Sequence, residues 1–157
     1  MASELYIEET VVASIIAFLQ VQLPICVAEI NATHAADDQV QDVVLWVPDM
    51  CDITIMDPLP AASVFVEESE DEARDRTMVL NTCICRVLIG YYGNSNIGYR
   101  LAAAVTSSIL RDITLGCRVG RVKVRKRVFY PPVVIDGDLE VRAVEVYLEV
   151  SQEVKRL

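Results

Sequence analysis

The stretch "TMVLNTCICRVLIGYY", residues 77–92, decides the fold. Extended, it puts Leu80, Ile84 and Leu88 on one face and Val79, Cys83, Cys85, Val87 and Ile89 on the other. Both faces are largely apolar, which predicts a central strand covered on both sides.

Downstream, "GNSN" ends this strand and caps a helix. The helix is expected over residues 95–111, where Ile97, Leu101, Val105, Ser108 and Ile109 follow helical spacing. "DITLG" then turns the chain into a basic strand, "RVGRVKVRKRVFY", residues 118–130. Regular alternation puts Arg121, Lys123, Arg125 and Arg127 on one face and Val122, Val124 and Val128 on the other, with Lys126 breaking the apolar side. "YPPVVIDGD" carries Asp136-Gly137 turn chemistry. A last strand follows over residues 139–150, with Val144, Val146, Leu148 and Val150 as its apolar face.

Upstream, residues 62–68, "ASVFVEE", form a strand, and "SEDEARD" reads as a solvated loop. Residues 43–61 are broken into short extended pieces by Pro48, Pro58 and Pro60. Residues 4–23 form a helix with a stripe of Val12, Ile15, Ile16, Leu19 and Leu23, which Pro24 should end or bend. The order is helix, irregular chain, strand, strand, helix, strand, strand. That is an α+β domain: a mainly antiparallel four-stranded sheet of two hairpins, with helices packed on it. The 157 residues suit a single domain, in which residues 31–61 form an arm or an insertion.

Composition narrows the function. Hydrophobic residues at 53% allow a sizeable core, and charged residues at 24% fit a globular chain. The apolar run after residue 10 has no basic leader and is interrupted by Gln20, Gln22 and Pro24, so a soluble protein made in the cytoplasm, without a membrane partner, is expected. Cys26, Cys51, Cys83, Cys85 and Cys117 make an odd set without a CxxC pair, read as buried reduced thiols. His34 is the sole histidine and stands in a polar stretch as a surface residue, so no metal is expected. No phosphate loop or nucleophile elbow is present, and the chain reads as a non-enzyme without a cofactor.

The basic strand is anomalous in a chain with 14 Lys+Arg against 23 Asp+Glu and a net charge of -9. Three readings compete. It is the charged face of an edge strand, which blocks stray pairing. It is a phosphate-contacting surface, although no aromatic interleaves the basic face and the net charge opposes a polyanion. Or it meets the acidic run "EESEDEARD" of a second copy, where charge complementarity sets the register of an assembly.

Residues 58–151 resemble the tail terminator (tail completion) proteins of tailed bacteriophages. The similarity runs through "PLPAASVFVEE", "TMVLNTCICRVLIGYY", "GYRLAAAVTSSILRD" and "LEVRAVEVYLEV", and is most telling in "ILRDITLGCRVGRVKV". The resemblance implies a structural virion protein, assembled in the host cytoplasm. Such proteins form a ring, typically hexameric, that caps the head-proximal end of the tail tube, stops tube growth and offers a docking surface to the head. The implied partners are further copies of itself, the tail tube protein, a head-side neck or connector protein, the sheath protein of a contractile tail, and genomic DNA passing through the channel. Another neck component is the runner-up. A head-to-tail ring needs two different complementary surfaces. The candidates are Arg121, Lys123, Arg125 and Arg127 against Glu67, Glu68, Glu70, Asp71 and Glu72. A channel face for the basic strand is the rival, but a densely basic lumen would hold DNA that must slide.

Overall fold

A computed structural model describes residues 7–36 and 39–155; residues 4–6 of the expected first helix lie outside it. The strand read first, β3 (Met78–Tyr91), lies mid-sheet between β2 (Ala61–Ala73) and β6 (Leu139–Lys155), antiparallel to both. The sheet is six-stranded and mixed, in the order β1-β2-β3-β6-β4. The short β1 (Leu45–Val47) runs parallel to β2, β4 (Arg121–Phe129) flanks β6, and β5 (Val133–Ile135) pairs with the start of β6. The expected four-stranded antiparallel sheet therefore gains two short strands. The parallel one comes from the proline-broken segment, where Pro60 accepts a bond from the Val44 N–H.

Two helices, α1 (Ile7–Asn31) and α2 (Ser95–Arg111), cover one face of the sheet. That face holds Cys83, Cys85, Val87 and Ile89 from β3 and Val144, Val146, Leu148 and Val150 from β6, all fully or nearly fully buried. The opposite face, with Leu80, Ile84 and Leu88, is only half-buried. The expected cover on both sides is thus partial, because both helices pack on the same side. On the outer face the irregular chain does some of this work: Ile53 and Leu59 lie over Gly90.

Pro24 does not end α1. An interior proline costs about 3 kcal/mol. Leu23, Cys26 and Val27 are buried around it, and full burial of such a side chain contributes roughly 1.5–3 kcal/mol. Packing therefore carries the helix on to Asn31. There the Asn31 amide donates to the Val40 carbonyl and its oxygen accepts from the Val40 N–H, tying the following segment to the helix end. By length and apolar content α1 would suffice to cross a membrane, but Val11, Ile15, Leu19 and Leu23 are spent in the core.

The acidic run is not a loop. β2 continues through it to Ala73, with pairing that reaches Ala73 and Val79. Carboxylates are poor strand formers, but β3 supplies a complete backbone ladder and the side chains stay in water. The turn falls later, where Asp75 Oδ1 accepts from the N–H of Thr77 and of Met78.

The turn after α2 is built on Asp112. Its Oδ1 accepts from the Thr114 N–H (3.0 Å) and hydroxyl (2.6 Å), and its Oδ2 from the Gly116 N–H (3.0 Å). These bonds hold the Asp112 carboxyl below its ordinary range, with the Thr114 hydroxyl as the main cause. Leu115, Gly116 and Cys117 follow with positive φ, which turns the chain sharply into β4 while Leu115 stays buried.

Candidate assembly interface

The two charged stretches occupy opposite edges of the sheet. β4 is one edge strand; among the described residues no strand pairs with its outward side, where the Val122 N–H already donates to the Ile113 carbonyl (2.7 Å). At the other side β1 covers β2 only at Ala61, Ala62 and Ser63, which leaves the acidic half of β2 as a second free edge.

The basic residues do not share one face. A register shift between Val124 and Lys126 makes Arg125 the extra residue of a bulge. Before it, Arg121 and Lys123 oppose Ser151 and Glu149 on the outer face. After it, Lys126 takes the outer face opposite Tyr147, and Arg127 moves to the helix side opposite Val146. Regular alternation puts Arg127 with Arg121, and one inserted residue reverses that. Arg125 Nη1 reaches Glu149 Oε2 at 3.6 Å. Among the described residues Arg121, Lys123 and Arg127 form no ion pair.

The acidic residues divide in the same way. Glu68, Glu70 and Glu72 oppose Ile84, Thr82 and Leu80 on the outer face, and Glu67 is the extra residue of a second bulge. Asp71 opposes Asn81 on the helix side and accepts a 2.8 Å bond from its amide. Glu67 lies 3.8 Å from Arg86, whereas Glu68, Glu70 and Glu72 form no ion pair among the described residues.

A groove of about 900 Å³ runs between α2 and β4. Tyr99 and Leu110 of α2, with Ile113 of the following turn, form one wall, with Leu110 68% exposed, and Phe129 packs edge-to-face on Tyr99 at 4.9 Å. The cations of β4 rim it, so an apolar wall and a basic edge face the same solvent.

Sequence reasoning missed the centre of the outer face. Glu145 is fully buried. It accepts two bonds from Arg86 (2.8 Å from Nε, 2.7 Å from Nη2) and one from the Tyr130 hydroxyl (2.7 Å). Arg86 is also held between the rings of Phe65 (5.1 Å) and Tyr147 (5.2 Å), and Lys126 lies over the far side of Tyr147 (4.4 Å). The hydrogen bonds to Glu145 push the Arg86 pKa further up, so it stays charged. Burial, then the bond to Glu145, raises that of Tyr130. A signal was available, since an arginine inside the apolar run of β3 needs a partner.

The remaining candidates are plain. His34, expected at the surface, is half-buried, with Nδ1 at 2.8 Å from the Ile30 carbonyl. All five cysteines are free. Cys26, Cys83 and Cys85 are buried, but Cys51 is half-buried and Cys117 exposed, because the latter sits in the positive-φ turn. Burial pushes the thiols of Cys83 and Cys85 up. No group of three or more metal-ligating side chains comes together among the described residues.

No family model matches the chain, and no curated protein matches it. Among solved structures it is similar to a chain of the "Virion of native gene transfer agent (GTA) particle", with a TM-score of 0.45 and 13% identity over 91% of this chain and 94% of that one.

Proposed function

We propose that this protein is a tail terminator of a tailed bacteriophage: a structural, non-catalytic virion protein, probed best as a ring of six copies at the head-proximal end of the tail tube. The ring stops tube growth, docks the head-side neck or connector protein, and passes genomic DNA through its channel. The observation that carries this reading is the pair of free edges of opposite charge on one sheet. A closed head-to-tail ring requires two unlike, complementary surfaces on each subunit, and β4 with the acidic half of β2 supplies them. The sequence resemblance over residues 58–151 supplies the tail-end role. Exposed ion pairs contribute roughly 0 to 1 kcal/mol each, so apolar surface such as the Tyr99–Leu110 wall supplies affinity and the charges direct assembly.

The bulge at Arg125 exchanges Arg127 for Lys126 on the outer face, so Arg121, Lys123 and Lys126 still share it. The DNA-contacting reading is weakened instead by the net charge of -9, which opposes attraction to a polyanion.

The test is the mass of the purified protein in solution, followed by electron microscopy with its tail tubes. Rings of six seated only at one end of the tubes are expected. Rings that bind the head portal but not tubes would move the assignment to another neck component. A chain that stays monomeric and joins neither would overturn the assembly reading.

A further inference from the structure

We propose that neighbouring copies join by continuing the sheet: the acidic edge of β2 in one copy adds as an antiparallel strand to the outward edge of β4 in the next, where only the Val122 N–H is already taken, by the Ile113 carbonyl. The inference rests on the ring reading and specifies how its subunits meet. β2 and β4 run in opposite directions, since β2 is antiparallel to β3, β3 to β6 and β6 to β4. A second copy in the same orientation therefore presents β2 antiparallel to β4, the pairing with perpendicular backbone bonds.

The register across the sheet supports a particular match. Glu68 is level with Ile84, Ile84 with Glu149, and Glu149 with Lys123. Glu70 is likewise level with Thr82, Ser151 and Arg121. All four charged residues at the ends of these rows lie on the outer face. An unstaggered continuation thus sets Glu68 of one copy beside Lys123 of the next and Glu70 beside Arg121; Val128 and Phe129 fall at the levels of Ser63 and Ala62, where β1 already pairs, so the added pairing is confined to residues 121–127 and the end of β4 leaves the edge there. The two bulges fit the same scheme, because Glu67 and Arg125 flank one level, that of Cys85 and Leu148. Protection of a lone edge strand accounts for lysine and arginine on β4. It does not account for carboxylates at matching levels on the opposite edge. The occupant of the groove beside β4 is accordingly a second copy, whose arrival removes Leu110 and Ile113 from water.

Two charge-reversed variants test this. One carries Arg121→Glu and Lys123→Glu, so both of its edges are acidic; the other carries Glu68→Lys and Glu70→Lys, so both are basic. All four positions are exposed, and circular dichroism and melting should match the parent chain. Each variant alone should stay monomeric by light scattering at concentrations where the parent chain forms rings. An equimolar mixture should recover rings of alternating variants, since each acidic edge then meets a basic one. If both variants assemble like the parent, or if the mixture remains monomeric, this pairing is overturned while the ring stands. A parent chain that is monomeric at high concentration and with tubes overturns the ring reading and the pairing with it.

Discussion

The two faces of the sheet are built from the same strands in opposite ways. Toward the helices, β3 and β6 present only aliphatic side chains and cysteines, from Cys83 to Ile89 and from Val144 to Val150. On the other side, the intervening residues bury a carboxylate. Glu145 lies between Val144 and Val146, as inaccessible as either. The helix face gains from area removed from water. Among the described residues no helix covers the outer face, which relies on directional contacts: a row of Phe65, Arg86, Tyr147 and Lys126 at one level across four strands, with Glu145 bonded to Arg86. The difference teaches that a one-sided helical layer leaves a sheet either to be covered by a neighbour or to cover itself with paired charges and rings. This chain does the second mid-sheet and leaves the first open at its edges.

The covered face should break hardest. Leu148 is fully buried at the level of Cys85 and Val124. Leu148→Ala leaves a cavity there, and a loss of about 3–4 kcal/mol is expected. Urea unfolding measures it, and a loss under 1 kcal/mol would mean that the helices do not clamp this face.

The outer face should give less, and in a different pattern. Glu145→Gln keeps the shape but leaves the Arg86 charge without a counter-ion except Glu67 at 3.8 Å. The Arg86 side chain is 23% exposed and regains some hydration, so a loss of about 2–3 kcal/mol is expected rather than the larger cost of a fully enclosed charge. Replacing both partners, Arg86→Met with Glu145→Leu, should recover most of that loss. A double variant no better than the single one would show that the network holds the β5 connection through Tyr130 rather than balancing charge.

The same contrast explains what the sequence reveals. The helix face follows a strict period of two, so Val144 to Val150 and Cys83 to Ile89 can be read from spacing alone, as can α2 with Asn94 as its cap. The edges cannot. A bulge adds one residue without any local mark, so regular alternation puts Arg127 on the wrong side. The acidic half of β2 has loop composition and becomes strand only because β3 offers it a ladder. Pro24 shows packing overriding a local stop signal. The charged stretches were visible as composition, but their matching levels exist only once β3 and β6 lie between them.

The smallest effect sharpens the contrast at its margin. Lys126 follows the bulge and takes the outer face, with its ammonium 4.4 Å from the Tyr147 ring centre. Had β4 alternated regularly, Lys126 would fall on the helix side among the valines, and its removal would relieve a buried charge and stabilise the fold. With the bulge, Lys126 is an exposed cation on a ring, worth about 0.5–1 kcal/mol. Lys126→Gln should therefore destabilise by that amount. The tyrosine phenol supplies a second readout of the same row. Its pKa is pushed up to about 12, first by burial and then by Glu145. A raised phenol contributes stability that is present below its ordinary pKa and is lost as pH rises through the folded value. Lys126→Gln should preserve this alkaline loss of stability in the parent chain between pH 10 and pH 12, since burial and Glu145 cause it. A stabilised Lys126→Gln variant would place Lys126 on the helix side and remove the bulge from β4.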